Sequence, residues 1–598
     1  MNPLSPPVTE IAGHKLTVEQ TSYLEGWFAG LRNRGFAFSD VAPNPAAEPS
    51  RAHLEDLIPE ERIKRELHPL DAYPLLLQHA AANQAPDREN LFRFKWQGLF
   101  FLTPNKEAFM ARLRIPGGEL KSFQLREIAR IARELTTGYI QITTRANLQI
   151  RLIEPRNAPE VLRRIQGVGL HTRGAGADNI RNLTCDPASG LDPAELVETL
   201  PLVRELGQMI LNHREFYDLP RKFNIAVHGG GAISSVEDTN DIGWRAVRVF
   251  ARGSSASPPC SDDHISNGLT PGVYFRCALG GATGHKGFAS DLDVLVRPED
   301  LVKATSALIR VYLNNGNRTD RKKARLKHLL DTWSLDRYRE ETERLLGRPF
   351  LRLSKEASPI VDSAHPTPQP HPHVGVFAQK QAGLNWIGVF VPVGQLTIRQ
   401  LERLAELAEL YGSGDLRLTV WQSLVLPNIP DAYVETVKKA LTRLGFDWRQ
   451  SNLRSGFVAC TGNSYCKFAS TNTKAHALNL MDYLDRKLQL DTPVNIHLTG
   501  CPNSCAQHYI GDIGLLGTKV KVEGETLEGY HVFVGGGFGD RAAIGRQLFS
   551  SVSVRQIQTT IERMLTNFLK CRREKETFHS FAGRHELGRL QELLGAEG

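Results

Sequence analysis

RLRIPGGELKSFQLREIARIARELTTGYIQITTRANLQ, residues 112–149, recurs without a gap at residues 388–425 as GVFVPVGQLTIRQLERLAELAELYGSGDLRLTVWQSLV. Pro116 aligns with Pro392, Gly118 with Gly394, Leu120 with Leu396, Ala129 with Ala405, Ala132 with Ala408 and Thr143 with Thr419. Each copy reads as a strand, a helix with an apolar period of about 3.6 residues, and a strand of alternating character. A second helix follows in both, APEVLRRIQGVGL at 158–170 and DAYVETVKKALTRLGF at 431–446. The order β-α-β-α is half of a split α/β sandwich, present twice.

The echo continues downstream. DNIRN (178–182) pairs with SNLRS (451–455), KFNIAVHG (222–229) with PVNIHLTG (493–500), and DIG stands at both 241–243 and 512–514. The chain therefore reads as two halves related by a pseudo-two-fold, and a site at their seam would draw residues from both. Between them lies a Pro/His-rich stretch, 356–373, whose prolines predict an extended, solvated connector. His365, His371 and His373 could bind a metal there, although a plain linker is the simpler reading. Residues 1–90 lie outside the repeat and read as largely helical, docking on the core. The tail from about residue 556 reads as an amphipathic helix used for packing.

At 598 residues the chain needs two to four packed units. Its composition, 41% hydrophobic and 23% charged, is that of a globular protein without a membrane-spanning run. The N-terminus lacks the basic-then-apolar order of a secretory signal and carries early glutamates, so the expected location is the cytoplasm. A net charge of +8 is compatible with nucleic-acid binding, but the cations are dispersed and no aromatic binding motif accompanies them. A basic face could equally attract a small anion or an acidic protein.

Eight cysteines are too few for a disulfide scaffold in this length. Cys185, Cys260, Cys277 and Cys571 are scattered, and read as buried thiols or bystanders. The remaining four form Cys460-x5-Cys466, a gap of 34 residues, and Cys501-x3-Cys505. The first spacing is wide for a zinc knuckle. CTGNSYC and TGCPNSC are turn-forming, which suits four thiolates around a cubane cluster. Zinc and four reduced core thiols stay open as alternatives. The glycine-rich runs GGG (229–231) and VGGGFG (534–539) lack a dinucleotide-binding register, and read as turns that let backbone approach a cofactor.

ACTGNSYC, TGCPNSCAQ and DIGLLG together resemble the cluster-and-sirohaem signature of the assimilatory nitrite and sulfite reductases. RFKWQGLF (93–100), TTRANLQIR (143–151), DNIRN and LPRKFN (219–224) follow in the family's order, over roughly residues 90 to 550. The resemblance implies a duplicated α+β architecture: a ferredoxin-like half-domain (91–170) and a sirohaem-binding α/β domain (171–355), then a second half-domain (374–450) and a [4Fe–4S]/sirohaem-binding domain (451–598). It implies that Cys460, Cys466, Cys501 and Cys505 hold a [4Fe–4S] cluster, with Cys505 also the axial ligand of the sirohaem iron. It places Arg112, Arg181, Lys222 and Asn224 in the anion pocket, and Arg145, with Asn147 and Gln149 assisting, at a sirohaem carboxylate.

The activity implied is the six-electron reduction of nitrite to ammonia by a monomer that takes electrons from ferredoxin, since no flavin or nicotinamide module is legible. Sulfite reductases of the family resemble LPRKFK where this chain has LPRKFN, so Asn224 favours the less charged nitrite. Sulfite reduction on the same scaffold is the alternative. A precorrin-modifying relative fits less well, because both halves and the full anion pocket are kept. A nucleic-acid-binding protein with a structural cluster is the reading from another class.

Overall fold

The computed structural model describes residues 10, 11, 14, 15 and 18, and then 57–101, 107–136, 138–249, 269–352 and 371–595. Most of residues 1–56, Cys260, His365 and the greater part of the predicted connector lie outside the described residues. Of the expected helical N-terminal region, helices Pro59–Glu66, Tyr73–Ala82 and Arg88–Arg93 are described. They dock through Ile63, Leu76 and Phe92.

Each copy of the repeat builds an antiparallel sheet, and each sheet takes its last strand from the other copy. One sheet runs Gln395–Leu396, Ile140–Ile142, Leu148–Ile153, Phe109–Arg112, Leu99–Phe100. The other runs Gly375–Ala378, Leu384–Val389, Leu424–Pro430, Asp415–Leu418, Glu119–Lys121. Ile140 faces Leu396 in the first, and Leu416 faces Leu120 in the second. These are one contact seen twice through the pseudo-two-fold, and the exchange covers a sheet edge in each copy. Gly118 and Gly394 make the crossing possible. Both have left-handed φ, and a Cβ there would stand 2.5 Å from the Leu418 carbonyl and 2.6 Å from the Ile142 carbonyl respectively.

Helices Ser122–Leu135 and Ile398–Tyr411 pack together on these sheets, burying Leu125, Ile128, Ala129 and Ala132 and their counterparts Leu401, Leu404, Ala405 and Ala408. Residues of both copies form one hydrophobic core. Arg126 pairs with Glu409, and Arg133 with Glu402. The two equivalent positions carry arginine in one copy and glutamate in the other. An isologous contact is thereby satisfied that would be repulsive between identical copies. Screening keeps each exposed pair to about 0–1 kcal/mol.

The two remaining sheets are mixed and share one strand order. Thr184–Cys185, Ile225–His228 and Ile242–Val249 are parallel neighbours, followed by antiparallel Gly272–Leu279 and Ser290–Val296. Phe457–Ala459, Ile496–Thr499, Ile513–Val522, Glu525–Val534 and Arg546–Ser553 repeat it. Asp241 Oδ2 accepts the Asn224 N–H at 2.8 Å, and Asp512 Oδ2 accepts the Asn495 N–H at 2.7 Å, so the DIG echo is one structural device used twice. The C-terminal helix Ile557–Cys571 packs into the second of these domains through Ile561, Met564, Leu565 and Phe568, as its periodicity requires. No helix among the described residues is long and apolar enough to cross a membrane.

One sequence expectation is corrected. His371 and His373 are buried core, not part of a solvated connector. His371 and His373 are 6% and 2% exposed, their Nε2 atoms lie against the carbonyls of Asn452 and Ser455, and His373 stacks on Trp421. Imidazoles with carbonyl partners can be buried where the prolines donate nothing. The glycine-rich turns also admit the protein's own backbone. A Cβ on Gly229 would meet the Val197 carbonyl at 2.4 Å, and one on Gly536 the Gly511 carbonyl at 2.4 Å.

At the end of strand Ile225–His228, His228 is buried against Asp186. Burial acts to lower its pKa, but Asp186 and Glu237 outweigh this and raise it to about 9. The folded value lies above the unfolded one of about 6.5. The pair therefore stabilises the fold fully below pH 6.5 and loses that contribution as pH rises through about 9, up to about 3 kcal/mol in all. Thermal melts should show Tm falling between these limits, and His228→Gln should flatten the dependence. An unchanged slope in that variant would assign the pH effect elsewhere.

Candidate active site

Cys460 directly follows strand Phe457–Ala459, and Cys501 comes two residues after its parallel neighbour Ile496–Thr499. Loops leaving the carboxyl ends of adjacent parallel strands converge on one place, the usual location for ligands in such sheets. The Gly500 N–H donates to Cys460 Sγ at 3.2 Å, a contact that favours an anionic sulfur. The Thr473 hydroxyl donates to the Cys460 carbonyl at 2.8 Å. Burial raises the Cys501 thiol, and Cys460 and Cys466 add to the rise. Burial pushes Cys505 up to about 12, with Cys460, Cys501 and Cys466 adding and Lys222 opposing. Cys460 and Cys466 thus act on both Cys501 and Cys505, which marks the four thiols as neighbours. Among the described residues no group is arranged to hold a single metal ion.

Cys505 is nevertheless exposed by surface area. A side chain with open surface and dense protein around it lines a recess. Arg112, Arg145, Arg181 and Lys222 share this signature, each partly open yet with its pKa pulled down, first of all by burial. Arg112 ends strand Phe109–Arg112, and its Nη1 reaches the Ala175 carbonyl at 3.4 Å. Arg181 Nη1 donates to the same carbonyl at 2.8 Å and Nη2 to the Ala177 carbonyl at 2.9 Å, while its Nε is buried without a partner. Lys222 has no hydrogen bond or ion pair to any described residue. Burial lowers it to about 8, Arg325 and Arg181 contribute, and Cys505 opposes. The Asn224 side-chain amide is likewise without a described partner, its backbone held by Asp241.

Of the residues expected at the cofactor carboxylate, Arg145 donates to the carbonyls of Asn182 and Ile225 and to Asn240 Oδ1 at 2.9 Å. Thr144, in the same turn, donates to the Cys505 carbonyl at 2.9 Å, which ties this turn to the cysteine loop. Asn147 is brought elsewhere. It is 2% exposed, donates to the Leu113 carbonyl at 2.8 Å and accepts from Thr143, so it braces the turn from within. Gln149 faces Arg112 in the sheet register and Gln141 on the other side, and Gln141 in turn faces Gln395. A polar row thus crosses the sheet beside the recess.

Three residues escaped the sequence reading. Arg325, 5% exposed, grips Asp241 with bonds of 3.0 and 2.9 Å to its two oxygens and so fixes the backbone of Asn224. Arg151 and Lys474, each 4% exposed, lie against the cysteine loops. Burial lowers Arg151 to about 10, and Lys474 to about 7. A charged residue inside the apolar strand LQIRLI was the available signal for Arg151. Nothing in RTDRKKARLKHL marks Arg325 as the buried member of its run.

The donor set is chemically coherent. Four neighbouring thiols suit an iron–sulfur cluster. An orphaned buried arginine nitrogen and several desolvated, partly open cations beside Cys505 suit a polycarboxylate cofactor and an anion. The fold and site define a class: duplicated α+β proteins with a thiol-lined, cation-walled recess at the seam between halves.

Residues 176–350 and 451–597 match the nitrite and sulphite reductase 4Fe-4S domain, and residues 103–168 and 377–444 the nitrite/sulfite reductase ferredoxin-like half domain. The chain belongs to the nitrite and sulphite reductase family. It is 37% identical over 488 residues to the ferredoxin--nitrite reductase of Synechococcus elongatus, covering 80% of this chain and 89% of that protein. It is 31% identical over 515 residues to sulfite reductase [ferredoxin] 1 of Mycolicibacterium paratuberculosis, covering 82% and 87%. The solved structure of the Mycobacterium tuberculosis NirA protein superposes with a TM-score of 0.79 at 29% identity, over 89% of this chain and 97% of that one.

Proposed function

We propose that the chain reduces nitrite to ammonia with electrons from ferredoxin, using a sirohaem beside a [4Fe–4S] cluster. Cys460, Cys466, Cys501 and Cys505 would hold the cluster, and Arg145 with Gln149 would stand at the sirohaem. When bound, these groups supply an iron that takes the anion and a store from which electrons come singly. The single observation carrying the reading is Lys222, which has no hydrogen-bond or ion-pair partner among the described residues, with Asn224 two residues on, facing a recess that already holds Arg112 and Arg181. Three cations hold a monoanion; Asn224 supplies neutral hydrogen bonding where a further lysine would suit a more highly charged substrate.

Reaching ammonium from nitrite consumes six electrons and eight protons and releases two waters. Lys222 Nζ can deliver protons at the bound oxygens as the N–O bonds break. Arg112 and Arg181, charged at any working pH, orient the anion. The net charge of +8 supports encounter with an acidic ferredoxin.

The test is the optical spectrum of protein made in cells able to synthesise sirohaem, followed by turnover with nitrite and with sulfite under reduction. Isobacteriochlorin bands and faster nitrite turnover are expected. Faster sulfite turnover would establish the sulfite reading on the same scaffold, and a colourless protein would sink the enzyme reading. Asn224→Lys should move the nitrite-to-sulfite kcat/KM ratio toward sulfite by roughly tenfold; an unmoved ratio would remove Asn224 from the specificity argument.

A further inference from the structure

Two cations are buried against the cysteine loops with only neutral partners. Arg151 Nε donates to Gln141 Oε1 at 2.9 Å, and its Nη2 to Gln149 Oε1 at 2.6 Å and Thr461 Oγ1 at 2.7 Å. Its guanidinium lies 5.7 Å from the centre of the Tyr465 ring. Thr461 follows Cys460 and Tyr465 precedes Cys466, so Arg151 grips both ends of that loop. It does so from strand Leu148–Ile153 of the first half-domain. Lys474, in helix Thr473–Lys487, donates through Nζ to the carbonyls of Val393 and Ala459. Val393 sits in the crossing turn of the second half-domain. One cation therefore connects the loop to each copy of the repeat.

Among the described residues no carboxylate forms an ion pair with either cation. Burying a charge against neutral dipoles alone is costly, and the fold tolerates it where a counter-charge is supplied. The negative-going cysteines that act on them electrostatically are Cys466 for Arg151 and Cys460 for Lys474. Thiols ligating iron are thiolates, and a cluster that accepts an electron becomes more negative still. Both demands are met by positive charge at this spot, permanent on Arg151 and, on Lys474, favoured by Cys460 against the lowering effect of burial. Arg151 cannot shed its proton under any working condition. The polar row Gln141–Gln149–Arg112 continues from it toward the anion pocket, so the same side chain also fixes Gln149.

We infer that Arg151 and Lys474 are positioning residues that fasten the Cys460–Cys466 loop to the two half-domains and set the reduction potential of the cluster by holding positive charge beside its sulfurs. The inference rests on the reading that these cysteines ligate a [4Fe–4S] cluster. It concerns the ease of reducing the cluster, which depends on local charge and hydrogen bonding to sulfur.

The measurement is a redox titration of the purified holoenzyme, following the EPR signal of the reduced cluster, in the wild type, Arg151→Gln, Arg151→Lys and Lys474→Met. Iron and sulfide content and thermal melts are taken alongside. In Arg151→Gln and Lys474→Met the ratio of reduced to oxidised cluster at a fixed potential should fall about tenfold or more, equivalent to about 59 mV for one electron. Arg151→Lys should recover most of the difference, because it restores charge without the fork of donors. Midpoints equal to the wild type in both neutral variants, with full cluster content, would overturn the inference. If Arg151→Gln cannot be isolated with its cluster, Lys474→Met and Arg151→Lys decide. A wild-type midpoint in Lys474→Met overturns the proposal; a lowered one, with Arg151→Lys near the wild type, supports it. A wild type with no reducible cluster signal would instead sink the ligand assignment beneath it.

Discussion

Cys505→Ala should keep the fold and lose nitrite turnover. The loss should exceed the ~10–100-fold seen when mere outer partners of a metal are removed. The side chain has open surface, and it makes no hydrogen bond to a described residue through its thiol. Shortening it therefore leaves no dry cavity in the core, and the cofactor-free protein should melt within a few degrees of the wild type, as substitutions outside packed cores do. The tie between the loop and the Thr144 turn runs through the Cys505 carbonyl and survives the change. The decisive readings are the optical spectrum and iron content after cofactor loading. Loss of the haem-type bands with an intact melt supports Cys505 as a shared ligand. Full bands with full activity would remove it from the site.

Lys222→Met should lower kcat/KM for nitrite by about a hundredfold or more, the range for removing a general acid together with an anion-holding charge. The methionine keeps the stem and its packing, and the missing Nζ strands no partner among the described residues. Burial pulls Lys222 down to about 8. Its charged form is fully present well below that value and is lost as pH rises through it. The wild-type profile should accordingly fall on its alkaline side near pH 8. Lys222→Arg, charged throughout, should move that limb to higher pH even if its peak rate is lower. An alkaline limb that stays near 8 in Lys222→Arg would assign it to another group.

The cysteine loops were legible because four of the eight cysteines gather in two short turn-forming runs. Arg112 and Arg181 were assigned to the site through their resemblance to family motifs, since an arginine's place in a strand or turn does not say what it binds. Asn147, expected near the cofactor, braces its own turn instead. A short amide inside a turn competes well for local backbone groups, and its spacing alone does not say which way it faces. Arg151, Lys474 and Arg325 were missed because their partners, among them Thr461, Val393 and Asp241, lie far away in sequence.

The sequence by itself determined the duplication, its strand–helix–strand content and the two cysteine loops. These are consequences of periodicity, turn chemistry and repetition, all of which are local. Only the tertiary structure decided that the two half-domains share one core and trade edge strands through Gly118 and Gly394, and that Arg126 and Arg133 meet Glu409 and Glu402 across the pseudo-two-fold. It alone decided which cations of a chain carrying 73 lysines and arginines turn inward. That choice depends on desolvation and on partners brought together from both halves, quantities that do not exist until the chain has closed upon itself.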